Sequence, residues 1–274
     1  MGTAAGEIRV NGLPDRLQGE ARVQIEGMRF AGATADLPPL IMTARTVVSG
    51  GRLDLNAALE GLTEEPARAA VQVPVNYALT PFSLAPATWK PCQGELKVAA
   101  DLARLFRIVP LDAQNLAGKL SVDLTLGGTL ETPEIRGRVA LQDGLYENYL
   151  TGTVLKEMNL EAEATGERLE ITRFQASDGG SGTIRAGGMV ELDPAAYFPL
   201  EIRLTLSQAT LVRRREATGT VAGDLTLSGA ANALKASGNL EVGPVEITLP
   251  ERLPPEMTSV EVIEINRPEG TGLA

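Results

Sequence analysis

One cassette occurs twice in this chain, 101 residues apart, and it restricts both stretches to closely spaced β-strands. The first copy reads Asp123-Leu124-Thr125-Leu126-x-Gly128 with Gly137 beyond it. The second reads Asp224-Leu225-Thr226-Leu227-x-Gly229 with Gly238 beyond it. The flanks agree as well: Gly118 with Gly219, Leu120 with Val221, Val139 with Leu240, and Leu141 with Val242. Alternating segments closed by glycine and repeated at long period mark an elongated β-structure built by stacking similar units. Such a chain acts through an extended surface rather than a single pocket.

Period-two alternation runs well beyond the cassette. Leu120, Val122, Leu124 and Leu126 alternate with Lys119, Ser121, Asp123 and Thr125. Leu200, Ile202, Leu204 and Leu206 alternate with Glu201, Arg203, Thr205 and Ser207. Shorter runs of the same kind are Ala21-Val23-Ile25, Val71-Val73-Val75-Tyr77, Met158-Leu160-Ala162 and Val245-Ile247-Leu249. Successive side chains of a strand point to opposite faces, so each run predicts one apolar and one polar face, the antiparallel pattern. Turns are expected at Asn11-Gly12, Ser49-Gly50-Gly51, Asp143-Gly144, Thr165-Gly166, Gly179-Gly180 and Ser228-Gly229. Helical spacing occurs at Leu102, Leu105 and Phe106, with Pro110 as the stop, predicting one short helix over 101–108. Pro86, Trp89, Pro91 and Gly94 place a soft boundary near 85–93. The expected organisation is a β-repeat segment over 1–90 and a second over 91–274 that holds the cassettes, 118–144 and 219–245. Gly19-x-Ala21-x-Val23-x-Ile25-x-Gly27 reads as a degenerate cousin of the cassette in the first segment.

Several function classes are disfavoured by composition. The net charge of −10 opposes a nucleic-acid partner, whose phosphates are gripped by clustered Lys and Arg. The chain contains no His, the commonest general base and metal ligand. With dispersed carboxylates as well, the sequence reads as a non-enzyme that needs no cofactor or metal. Aromatics are only 4% of the chain, so the interior is expected to be aliphatic. Cys92 stands alone and reads as a small buried residue. Residues 69–89 carry no charge, but three prolines and several polar residues spoil them as a membrane helix. The chain is expected to be soluble, with no secretory leader at its start.

Smaller signals read as surface features. Arg213-Arg214-Arg215 is expected to be a solvated rim that protects a sheet edge, or else a contact for lipid headgroups. Asp178-Gly179-Gly180-Ser181-Gly182 resembles an ion-binding loop only weakly and is expected to be a hairpin turn. Glu161 and Glu163 fall on one strand face, where alternating carboxylates are ordinarily solvated rather than a glycosidase pair.

From Gly94 onward a further set of stretches stands out: Asp101-Leu102-Ala103, Pro110 to Gly118, Asp143 to Asn148, Thr151 to Leu155, Arg173 to Gly180, Ala209 to Arg214, Pro250 to Pro255 and Val262 to Asn266. In their order and spacing they resemble the TamB family, the inner-membrane subunit of the translocation and assembly module of Gram-negative bacteria, an AsmA-like group of bridge-type lipid transport proteins. The resemblance implies a long curled antiparallel sheet (a β-taco) with an apolar groove, set in the periplasm and anchored to the inner membrane. It also implies phospholipid acyl chains as cargo, a role in outer-membrane protein assembly and secretion, and the outer-membrane barrel protein TamA as partner. The family's anchor and C-terminal end are not recognisable, so the sequence is expected to be an internal fragment or a truncated gene product.

Roughly twenty strands at about 4.8 Å each would make a ladder about 100 Å long. Its apolar face could be closed on itself, packed on a second sheet, or left open around lipid tails. Periodicity alone favours a filled core; the resemblance favours an open groove. The residues expected to line that groove are Leu120, Val122, Leu124, Leu126, Val139, Leu141, Leu200, Ile202, Leu204, Leu206, Leu225 and Leu227, with Asp123 and Asp224 on the wet face. The competing expectations are a passive β-rich scaffold or adhesin with a closed core, and a β-helix carbohydrate-active enzyme.

Overall fold

The computed structural model describes residues 3–13, 16–28, 40–61, 65–79, 82–108, 113–193, 195–214 and 217–247. Its strands are β1 (Thr3–Leu13), β2 (Arg16–Met28), β3 (Leu40–Ser49), β4 (Arg52–Glu60), β5 (Ala67–Leu79), β6 (Phe82–Pro86) and β7 (Gln93–Asp101). After α1 (Leu102–Ile108) come β8 (Gln114–Gly128), β9 (Pro133–Asn148), β10 (Thr153–Gly166), β11 (Arg168–Ser177) and β12 (Thr183–Glu191). The series ends with β13 (Leu200–Arg213), β14 (Ala217–Ala230), β15 (Ala233–Val242) and β16 (Glu246–Ile247).

These strands form one open antiparallel sheet in sequence order. β6 hangs on β5, and β16 takes up the edge of β14 beyond β15, leaving fourteen strands on the main path. At about 4.8 Å per strand the ladder is about 60 Å long, shorter than the sequence estimate because the strands run to sixteen residues. The ladder crosses residue 90 without interruption, since β7 pairs with β5 directly. The loop between β6 and β7 seals that crossing with Ala87 and Cys92, both buried.

The helix forms where expected because Asp101 ends β7 and caps α1. Its Oδ1 accepts the Ala103 N–H at 2.9 Å, and Arg104 lies 3.6 Å from the same carboxylate. Turns form at Gly50-Gly51 and after Gly166, and the Asp178 loop joins β11 to β12, as the sequence predicts. Three other turn signals are overruled. Asn11-Gly12 lies inside β1, and Ser228-Gly229 inside β14, whose turn comes two residues later. Asp143-Gly144 sits within β9 as a bulge. Asp143 has φ 51°, so the same left-handed preference that makes Asp-Gly a hairpin turn serves here to kink a continuing strand.

That bulge is part of a seam. The register also slips near Gly118 in β8, around Glu157 in β10 and at Gln208 in β13, the last two again at positive φ. Bulges bend strands and increase their twist. Beyond the seam the β9–β10 loop meets the end of β13. The Arg213 N–H donates to the Thr151 carbonyl at 3.0 Å, and the Thr153 hydroxyl donates to the Leu211 carbonyl at 2.5 Å. Between them Ala176, Ile184, Leu206 and Ala209 are buried, with Leu155, Met158, Phe174 and Leu211 packed around them. The sheet therefore curls toward its apolar face at this end.

Candidate functional site

Tracing the register across the ladder picks out one residue from each of the fourteen strands. The row runs Gly6, Val23, Ala44, Ala57, Ala69, Leu96, Leu124, Gly137, Ala164, Leu169, Val190, Leu200, Gly229, Leu234. Every member is Gly, Ala, Val or Leu. A parallel row from β7 to β15 is Val98, Val122, Val139, Ala162, Ile171, Gly188, Ile202, Leu227, Ala236. A third runs through Leu120, Leu141, Leu160, Phe174, Ala186, Leu204 and Leu225.

All twelve residues expected to line a groove lie on this one face, ten of them in these three rows. Leu126 sits between Gly94 and Ile135, and Leu206 between Ile184 and Gly223. Only Leu141 and Leu206 are buried; the other ten are half-buried. Among the described residues no second sheet lies over this face. Sequence reasoning missed the N-terminal reach of the track. Gly6, Ala44, Ala57 and Ala69 are too small to stand out in a hydropathy pattern, yet they continue it through β1 to β5. A trough of about 570 Å³ crosses the same strands but is lined mainly by residues of the other face, among them Glu7, Arg22, Arg45 and Arg68.

The opposite face is charged. Arg9 pairs with Glu7, Arg22 and Arg45 with Glu20, Lys97 with Glu95, Arg136 with Glu134, and Arg203 with Glu201. Most are two residues apart on one strand, which is where alternation places same-face neighbours. Being exposed, such pairs contribute to solubility more than to stability. Arg22 and then Arg45 hold the Glu20 carboxyl below its usual value. Asp123 and Asp224 are on this wet face, the latter accepting the Thr205 hydroxyl at 2.7 Å. Glu161 and Glu163 are exposed there too.

The cassette glycines have a shared geometric cause. Gly137 stands opposite Leu124 and Gly238 opposite Leu225, with φ of 138° and 157°. A Cβ on either would overlap the preceding carbonyl of the facing strand, that of Asp123 or Asp224. The repeat thus encodes a close backbone crossing, used twice.

Asp178 is the one buried charged or polar residue found among the described residues. Its Oδ1 accepts the N–H groups of Gly180 at 2.8 Å and Gly182 at 3.0 Å, and its Oδ2 accepts the Thr210 N–H at 2.9 Å. The β11–β12 turn is thereby tied to the bulge of β13. Burial works to raise this carboxyl, but Thr210, Gly180 and Gly182 together outweigh it and hold it below its usual value. A depressed carboxyl contributes stability above its unfolded value, and that contribution is lost as pH falls through the folded one. Asp178→Ala should therefore cost about 2–3 kcal/mol near neutral pH, since three backbone donors, that of Gly182 buried and the other two part-buried, lose their acceptor. Urea unfolding of both proteins at pH 7 and below pH 3 should show the difference shrink in acid.

The basic run does not protect an edge, because β13 is an interior strand. The Arg213 guanidinium lies 3.5 Å from the Asp178 carbonyl, and Arg214 donates to the Leu150 carbonyl, so both side chains fasten the curl. Arg215 lies outside the described residues. Among the described residues, no cluster of three or more His, Cys, Asp or Glu could hold a metal, and no helix is long and apolar enough to cross a membrane.

Residues 172–273 match the family model described as the TamB C-terminal domain. That match supports a TamB family assignment for the chain. It takes in β12 to β16 and most of β11, including the second cassette and the Asp178 clasp, while the track continues N-terminally of the TamB match as far as β1. No curated protein and no solved structure matches the chain.

Proposed function

We propose that this chain is a periplasmic groove segment of a TamB-like translocation and assembly protein, and that its apolar face carries phospholipid acyl chains between the inner and outer membranes. The observation that carries the reading is the fourteen-strand row of Gly, Ala, Val and Leu with no covering layer among the described residues. An apolar strip of that length exceeds what soluble monomers ordinarily leave bare. Each acyl CH₂ buried on it gains about 0.8 kcal/mol, and even spacing distributes that gain along the track, so a chain slides without a deep trap. In this reading the protein is not an enzyme and needs no cofactor. Arg213, Arg214 and Arg215 act as a contact for anionic headgroups. The longer protein would be anchored in the inner membrane and meet the barrel protein TamA at the outer one. Assembly of outer-membrane proteins is the other activity that fits a TamB-like module.

The test is a photoreactive benzophenone side chain placed at Val122 or Ile202 on the apolar face, and at Asp123 or Arg203 on the charged one. The purified chain is irradiated with phosphatidylethanolamine vesicles. Lipid adducts should form at Val122 and Ile202 and be at least tenfold scarcer at the other two. Equal labelling of both faces would overturn the groove reading.

A further inference from the structure

The trough of about 570 Å³ on the charged face has a cationic lining that the apolar track does not use. It runs between two neighbouring wet rows. One wall is Arg22, Arg45, Asn56, Ala70 and Glu95; the other is Gln24, Thr43, Ala58 and Arg68. Between the walls lie Val23, Ala44, Ala57 and Ala69, whose side chains belong to the opposite face, so the floor is backbone. Alanines at 58 and 70 keep the middle of the trough low.

The charges around it do not cancel. The charged side chains that line it, with their ion-pair partners, are Arg9, Arg22, Arg45, Arg68 and Lys97 against Glu7, Glu20 and Glu95. Cations are therefore in surplus by two, on a chain whose net charge is −10. Glu7 is taken by Arg9 and Glu95 by Lys97. Arg22 and Arg45 share one carboxylate, each placing Nε 2.7 Å from Glu20 Oε1. Two guanidiniums bring about ten N–H donors, whereas one carboxylate accepts about four. Arg68 is exposed and makes no ion pair among the described residues.

We propose that this trough binds a phosphate monoester carried on a sugar. Arg45 and Arg68 stand on opposite walls, two strands and two residues apart, or about 12 Å between Cα atoms. That is within the combined reach of two extended arginine side chains. Planar guanidinium forks match phosphate oxygens bidentately. The surplus of cations matches a monoester, which carries about −1.5 to −2 near neutral pH. Asn56 is opposite Arg45, and Thr43 lies two residues from it on the other wall. Their amide and hydroxyl groups both donate and accept, as recognition of sugar hydroxyls requires. The phosphate of a lipid held on the apolar track does not reach this site, because the sheet lies between them.

Isothermal titration of the full chain with glucose 6-phosphate in low salt tests this. A Kd at or below about 1 mM is expected, weakening as salt screens the exposed arginines. Inorganic phosphate should bind at least about threefold more weakly, and glucose should give no heat. Arg45→Ala and Arg68→Ala should each weaken binding about tenfold, since each removes a charge-assisted fork. Arg136→Ala, on the same face but in β9, should bind as wild type does. Circular dichroism confirms that all three variants keep their strand content. A wild-type chain that takes up no glucose 6-phosphate overturns the proposal. So does an equal loss in Arg136→Ala, which would mean diffuse attraction, or inorganic phosphate binding as tightly, which would mean that no sugar is read. Lipid capture by the opposite face has no part in this titration, so the two readings fail separately.

Discussion

Replacing Leu124 by Asp is expected to abolish lipid capture while leaving the ladder folded. Leu124 lies in the middle of the fourteen-residue row, between Leu96 and Gly137, and is half-buried. In the free protein an aspartate there remains in contact with water, so folding should lose only about 1–2 kcal/mol of apolar packing. An acyl chain laid over the row would strip that water from a carboxylate with no cation on its face. Burying an unpaired charge costs several kcal/mol, more than the few methylenes that span one rung can return. Crosslinking from Ile202 in the Leu124→Asp protein should fall at least tenfold, with Tm down by only a few degrees. Leu204 is a poorer place for this test. It packs on the buried cluster around Ile184 and Leu206, so Leu204→Asp would confound loss of capture with loss of the curl. Normal lipid adducts in Leu124→Asp would count directly against transport along this face.

The largest effect on folding is expected from Gly137→Val. A Cβ at Gly137 would meet the Asp123 carbonyl oxygen and the Leu124 Cα, both backbone atoms that have nowhere to go in a paired ladder. The φ of 138° adds strain that a β-branched residue tolerates worst. Together these should cost about 3 kcal/mol or more, and Gly238→Val should do the same where β15 crosses β14. Gly127→Ala provides the control. It lies near the same hairpin, but its added methyl would approach nothing nearer than the Glu134 carbonyl at 3.9 Å. Denaturant midpoints for the three variants should separate Gly127→Ala, near wild type, from the other two. Equal midpoints would mean that the crossing is not what the repeated glycine serves.

Strand identity, the two faces and the short helix were legible in the sequence because each rests on a local rule: side-chain alternation, or helical spacing before a proline. The placement on one side of all twelve residues expected to line a groove follows from the same alternation. What the sequence left open depends on register and on distance. Asp143-Gly144 satisfies the backbone demand of a turn and of a bulge equally well, and only the pairing of β9 with β10 distinguishes them. Asp178 sits in a loop that reads as a simple hairpin turn, because its third partner, the Thr210 N–H, comes from a strand 32 residues away. The small-residue half of the track carries no hydropathy peak, so it emerges only when β1 to β5 are set side by side.

Because the sheet follows chain order, nearly all of its long-range structure is made between consecutive hairpins, and no rung waits for a distant part of the sequence. Such a molecule can zip up directionally, each new strand finding its template already in place as it emerges from a ribosome or a translocation pore. It also has no single keystone. Hydrogen exchange should be graded along the ladder, slowest at the clasp between β10 and β13 and fastest toward β1 and β15. Length is then a freely variable trait: adding or deleting a hairpin changes the distance spanned without redesigning the rest.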